Sequence, residues 1–304
     1  MKSGTRLLST PDKSTEDDKE LASCLRLRPE LEGSHALAST PVPLPYAKGS
    51  KASLRFASVV ETFLSDDECK SLMALANRRG FDAAQINVGG GRQQRDDEFR
   101  KSGRCIIDSS SFAQVLWQRL QPLLPNLHQV HDGFIRGWWE PVGLNERMRI
   151  LRYGPGDYFK PHLDGSFEYP VGNPRYGERS FMTLMLYLDM PEKGGETNFI
   201  NEYDKSRVTS ICPNTGLALV FEHGLLHEGG LLKQGVKHCI RTDGERSPRS
   251  WPPSPATSPR PCSPPAPPDP SSRPRSAHLR SARHCSAVMF RRCQPPCHPR
   301  LPTS

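Results

Sequence analysis

From Arg147 onward the sequence becomes a succession of short strand-like runs separated by glycine and proline turns. Met148–Tyr153 alternates apolar and polar residues, Gly154-Pro155-Gly156-Asp157 turns, and Phe181–Leu188 is a continuous apolar run of a length that suits a buried strand. Lys193-Gly194-Gly195-Glu196 turns again, Thr197–Ile200 is short, Pro213-Asn214-Thr215-Gly216 turns and Leu217–Phe221 is another strand. Gly229-Gly230 then leads to a last strand near Val236–Arg241. Many short strands with such turns predict a sandwich or barrel, and the count fits a jelly roll. The fold class expected is mainly β, with supporting helices around a jelly-roll core.

The helices are expected upstream. A first strand is read near Leu54–Val60. Ser65-Asp66-Asp67-Glu68 is a capping box, in which Ser65 accepts from the third helical N–H and Glu68 reaches back. The helix behind it places Cys69, Leu72, Met73 and Ala76 on one face and stops near Gly80. A second helix spans about Ser111–Leu120, with Phe112, Val115, Leu116 and Leu120 at helical spacing. Between them the polar, glycine-rich stretch Gly89–Asp97 reads as a mobile loop, and residues 84–104 as a lid that carries the choice of substrate.

The ends differ from the middle. Residues 1–48 are polar and proline-dotted and read as a disordered leader. Residues 244–304 hold 16 Pro and ten Arg but only two acids, without a hydrophobic period, and read as a disordered tail. The domain expected is thus 49–243, with helical support over about 54–125 and the jelly-roll core over about 147–243. Gly244-Glu245-Arg246-Ser247-Pro248 is expected to break the last strand at once, which suggests that the tail arises from alternative coding.

Charge and cysteine usage set limits. The net charge of +8 belongs wholly to the tail, since residues 1–243 carry 31 basic and 31 acidic residues. The basic balance therefore says nothing about the partner of the expected domain. Nucleic-acid binding would rest on the tail's arginines alone, and Cys285, Cys293 and Cys297 are too irregularly spaced for a zinc cluster. No apolar run approaches the roughly 20 residues that span a bilayer. Scattered cysteines without a secretory signal favour reduced thiols, and hence a cytoplasmic or nuclear protein.

The chemistry sits in His162-Leu163-Asp164, followed 63 residues after Asp164 by His227. Residues i and i+2 of a strand face the same way, so His162 and Asp164 can point together into a barrel. Two imidazoles and one carboxylate hold Fe(II) on one face and leave the other open to a bidentate oxoacid and dioxygen. His223 is a rival third ligand; His227 is preferred because Glu228-Gly229-Gly230 leads to the basic strand that follows. There Lys237, Cys239 and Arg241 share a face, and either cation could pair with a buried carboxylate. Tyr153, Tyr158 and Tyr187 are candidate hydroxyl donors to the same anion.

The stretch from about Arg149 to Asp243 resembles the catalytic domain of the prolyl 4-hydroxylase-like 2-oxoglutarate/Fe(II)-dependent dioxygenases. The matching residues are Tyr158-Phe159-Lys160-Pro161-His162-Leu163-Asp164, Thr183-Leu184-Met185-Leu186-Tyr187-Leu188, Gly194-Gly195-Glu196-Thr197, Pro213 to Phe221, and Leu226-His227-Glu228-Gly229. The resemblance implies a double-stranded β-helix, iron on His162, Asp164 and His227, and 2-oxoglutarate as the anion. It places the oxoacid's far carboxylate on Lys237, or on Arg241 as in members that use arginine. It further implies hydroxylation of an unactivated C–H with release of succinate and CO2, ascorbate as reductant, and a protein or peptide substrate, with a small molecule as the other possibility. A metal-binding but catalytically impaired isoform, acting as an interaction module, is the competing reading, and rests on the interrupted last strand.

Overall fold

A computed structural model describes residues 13–25, 37–88, 92–125, 128–132 and 135–249. Eight strands form the core: β1 (Arg147–Tyr153), β2 (Tyr158–His162), β3 (Arg179–Tyr187), β4 (Thr197–Ile200), β5 (Val208–Ile211), β6 (Ala218–Glu222), β7 (His227–Gly229) and β8 (Lys237–Arg249). They divide between two sheets, with order β6-β3-β8-β1 in the larger and β5-β4-β7-β2 in the smaller, and every neighbouring pair is antiparallel. The chain crosses between the sheets after nearly every strand, which makes this the jelly roll expected from the turns and the double-stranded β-helix that the resemblance implies. Ala57–Val60 and Gly103–Asp108 extend the larger sheet on either side, and Arg100–Lys101 adds an edge to the smaller one beside β2.

Alternation sorts each strand of the larger sheet between two apolar layers. On β1, Met148 and Ile150 pack on the helical side, while Leu151 and Tyr153 belong to the cluster between the sheets. The helical layer is α2 (Asp66–Arg79) and α3 (Ser110–Leu120). The capping box of Ser65 and Glu68 is formed as read, and Gly80 caps the other end of α2. Phe112, Leu116 and Leu120 of α3 are fully or almost fully buried.

Four expectations are corrected. The leader contains structure: helix α1 (Lys13–Ala22) packs on α3 with Leu21 fully buried, and Ser39–Pro41 pairs with the strand at Ala57–Val60. Asp18 accepts from Ser109 and Ser111 at the start of α3, while Asp17 and Glu20 pair with Arg78 and Arg79 at the end of α2. Lys51–Leu54 is a 3-10 turn, and the first strand of the support begins only at Ala57. The polar loop is partly a hairpin, Ile86–Asn87 on Gln93–Gln94, and residues 89–91 lie outside the described set.

The last strand does not stop at Asp243. β8 runs to Arg249, pairing with β3 as far as Arg246 and with a strand at Ile135–Leu144 that the sequence reading had left unassigned. Glu245 is the reason a breaking sequence holds. Its buried carboxylate accepts from Asn145 Nδ2 at 2.8 Å and from the Tyr169 hydroxyl at 2.8 Å, and it pairs with Arg175. The strand interruption that motivated an impaired isoform is therefore absent from the described residues. The rest of the predicted tail, 250–304, lies outside them.

Candidate metal and oxoacid site

β2 and β7 bring the two histidines together, for His162 and His227 are register partners. Asp164 lies two residues beyond β2, where its backbone N–H donates to His223 O at 3.1 Å. One candidate ligand atom from each of His162, Asp164 and His227 lies within 4.8 Å of the others. His162 Nε2 is 3.8 Å from Asp164 Oδ1, and His227 Nε2 is 3.7 Å from Asp164 Oδ2.

The donor set fits a divalent metal on a second, independent ground. His162 Nδ1 lies 2.8 Å from Lys160 O, and His227 Nδ1 lies 2.9 Å from Leu225 O. A carbonyl can only accept, so each ring carries its proton on Nδ1 and turns an Nε2 lone pair toward Asp164. Burial holds both rings neutral: His162 is pushed down to about 3 by desolvation and then by His227, and His227 is lowered by desolvation. Burial alone would raise the Asp164 carboxyl, but Arg241 and the neighbouring histidines hold it well below the usual carboxylate range. Phe159 stacks on His162 with ring centroids 3.6 Å apart, and Phe221 meets His227 edge-on at 4.6 Å. The rival ligand His223 is buried, with Nε2 3.6 Å from Asp243 Oδ1, and stands outside the triad.

The same cavity holds Lys237 and Arg241, with Leu151, Tyr153, Met185, Thr197 and Cys239 as its inner lining. The two cations stand differently. Lys237 is 2% exposed, its Nζ donates to Gly195 O at 2.6 Å, and no carboxylate among the described residues lies within ion-pair distance. Its ammonium sits 5.1 Å from the Tyr153 ring centroid and 5.5 Å from that of Tyr187, and burial lowers its pKa. A buried ammonium without a counter-charge is costly, and an anion at this end of the cavity would relieve that cost. Arg241, by contrast, is already paired with Asp164 and Asp243.

The three tyrosines separate too. Tyr153 lines the cavity, whereas the Tyr187 hydroxyl is taken up by Thr197 Oγ1 at 2.7 Å. Tyr158 is turned away: its hydroxyl donates to Asp97 O and Glu98 O, fastening the 92–101 segment to β2, so it is not a donor to an anion in the cavity. Sequence reasoning missed Arg100, Arg149 and Thr183. Arg149 was within reach, because it shares the inward alternation of Leu151 and Tyr153 on β1.

Parts of the chain are similar to known proteins. Residues 148–242 match the 2OG-Fe(II) oxygenase superfamily model. Prolyl 4-hydroxylase 2 of Arabidopsis thaliana is 29% identical over 199 residues, covering 62% of either chain. Probable prolyl 4-hydroxylase 10 of the same plant is 30% identical over 145 residues, or 47% of this chain and 44% of the other. A prolyl-4-hydroxylase crystal structure from Pseudomonas putida aligns with 64% of this chain and 94% of its own at 17% identity and a TM-score of 0.41. Over residues 148–242 the β-rich core is thus similar to the 2OG-Fe(II) oxygenase superfamily, and the matched relatives carry prolyl 4-hydroxylase names. The chain spans 62%, 45% and 66% of the length of three of them.

Proposed function

We propose that this chain is an Fe(II)- and 2-oxoglutarate-dependent dioxygenase of the prolyl 4-hydroxylase-like type, hydroxylating an unactivated C–H of a protein or peptide residue, with proline as the first candidate. The observation that carries the reading is Lys237, a buried ammonium with no carboxylate in ion-pair reach among the described residues, in one cavity with a His-Asp-His triad. The names of the matched relatives support the prolyl residue, and a small-molecule substrate is the alternative.

His162, Asp164 and His227 would hold the iron, which when bound supplies the oxidation that couples hydroxylation to release of succinate and CO2, with ascorbate keeping it reduced. The chain's own groups do the rest. Lys160 O and Leu225 O fix the imidazole tautomers. Lys237 takes the far carboxylate of the oxoacid, which gives the buried ammonium its counter-charge and orients the other end toward the triad. The Tyr153 and Tyr187 rings wall that end, and Leu151, Met185 and Cys239 keep it apolar.

The test is succinate formation by the purified chain supplied with Fe(II), 2-oxoglutarate and proline-containing peptides, with mass spectrometry for one added oxygen. Turnover should depend on oxoglutarate and vanish in a folded His162→Ala variant. Undiminished turnover in that variant would remove the metal assignment.

A further inference from the structure

Arg241 is bound on both sides by acids. Its Nη2 lies 3.0 Å from Asp164 Oδ1 and 3.1 Å from Asp243 Oδ1, so the guanidinium bridges a triad carboxylate and a second acid two residues along β8. Asp243 is gripped in turn by Arg149 Nη1 at 3.3 Å, with His223 Nε2 at 3.6 Å. Arg149 and Arg241 are register partners across β1 and β8. Like charges directly opposite one another on a sheet repel, and this pair stands because the two acids lie against it. The Asp164 and Asp243 side chains are 6% and 5% exposed, so the contacts act with little screening by water.

The network restricts Asp164. Arg241 occupies Oδ1, the Thr183 hydroxyl donates to Oδ2, and the backbone N–H is tied to His223 O. A carboxylate with each oxygen held, on a backbone that is itself tied, cannot swing both oxygens onto one cation. We propose that Arg241, steadied by Asp243 and Arg149, is a positioning residue for Asp164: it confines this ligand to one-oxygen donation and so preserves a coordination position for the oxoacid. The inference rests on the iron reading above, and gives Arg241 a role distinct from that of Lys237.

The experiment uses Co(II) as the metal probe in the full chain, reading the visible absorption of the bound ion and its change on titration with 2-oxoglutarate. Arg241→Met should still take up Co(II), about 10–100-fold more weakly as for loss of a partner behind a metal ligand, show an altered absorption spectrum, and bind the oxoacid more weakly than the wild type. Arg241→Lys, which keeps a cation, should recover most of both, and Asp243→Asn should move the spectrum in the same direction as Arg241→Met. Lys237→Ala should weaken oxoacid binding and leave the Co(II) spectrum as in the wild type. An Arg241→Met spectrum identical to the wild type overturns the proposal, and weakened oxoacid binding beneath an unchanged spectrum makes Arg241 an anion-binding side chain instead. Should Arg241→Met not fold, unchanged spectra in both Arg241→Lys and Asp243→Asn overturn it equally. A wild-type chain that takes up no Co(II) overturns the proposed function and this inference with it, whereas uptake without any response to these variants overturns this inference alone.

Discussion

Replacing Arg246 by methionine should stabilise the protein. Arg246 is completely buried, beside Met182 in the apolar layer under the helices. Its Nη2 contacts Met182 Sδ, Nη1 reaches Trp139 O at 3.5 Å, and Nε has no hydrogen-bond partner. No carboxylate among the described residues forms an ion pair with it. Burial pushes its pKa down from the ordinary guanidinium value to about 10, against the opposing pull of the Glu222 charge, and a fall of that size corresponds to about 3 kcal/mol against the charged form. Losing the long contact to Trp139 O takes back about 1 kcal/mol, which leaves a net gain of about 2 kcal/mol. Methionine fills a similar length and adapts to irregular space.

For a domain of this size such a gain raises Tm by about 4–8 °C, read by calorimetry at pH 7. The sign with pH follows from a base whose folded pKa is depressed. The cost is fully present below about 10 and is relieved as pH rises through that value toward the ordinary guanidinium value. The gap between variant and wild type should therefore narrow above pH 10, while Arg246→Lys, which keeps the charge, should gain nothing. An unchanged or lower Tm in Arg246→Met would refute the reasoning and mean that the guanidinium has an anionic partner in solution.

Three further outcomes are expected. Gly216 has φ +77 and sits against Leu64 O, with which an added Cβ would collide; Gly216→Ala should lower stability by at least about 1–3 kcal/mol, measured by urea denaturation, and a neutral result would show that the turn relaxes freely. Ser109 and Ser111 hold the Asp18 carboxyl below its ordinary value. Its contribution to docking α1 is therefore full above the unfolded value of about 3.9 and lost as pH falls through the lower folded one. Proteolysis within Lys13–Ala22 should accelerate below that point, and Asp18→Asn should already be fast at pH 6; a variant as resistant as the wild type would count against the anchor. Lys237→Ala should raise the half-saturating oxoglutarate concentration by about 30-fold or more, the effect of leaving one partner of a buried charge pair alone, and an unchanged value would move the carboxylate site elsewhere.

Five of the eight core strands, β1, β3, β4, β6 and the start of β8, were legible because each is a local signal, an apolar run between turns of known chemistry, whereas β5 and β7 are too short and too mixed in polarity to give one. α1 was not, because its sequence, KSTEDDKELA, carries little apolar surface. What fixes it is charge spread along the chain: Asp17, Asp18 and Glu20 meet Arg78, Arg79, Ser109 and Ser111 roughly 60 to 90 residues away. No local window contains those partners. The end of β8 failed for the opposite reason. Gly244-Glu245 and Pro248 are poor strand formers, and the reading followed that propensity. Tertiary context overrides it, since Ile135–Leu144 lines up along one side of β8 and Asn145, Tyr169 and Arg175 satisfy the one carboxylate that would otherwise expel it.

The separation of Lys237 from Arg241 shows where more could have been read. Both point inward from β8, and residue type alone does not say which awaits an anion. Asp243 stands two residues beyond Arg241, on the same face by strand periodicity, so Arg241-Thr242-Asp243 already describes a cation with an acid beside it. Lys237-His238-Cys239 offers its lysine nothing of the kind. The structure adds Asp164 on the other side of the arginine, and beside the lysine a carbonyl, Gly195 O, with no carboxylate in ion-pair reach among the described residues. An inward cation followed by an acid at i+2 on one strand is thus partly neutralised before any ligand arrives. The inward cation without one is where the oxoacid's charge is worth most.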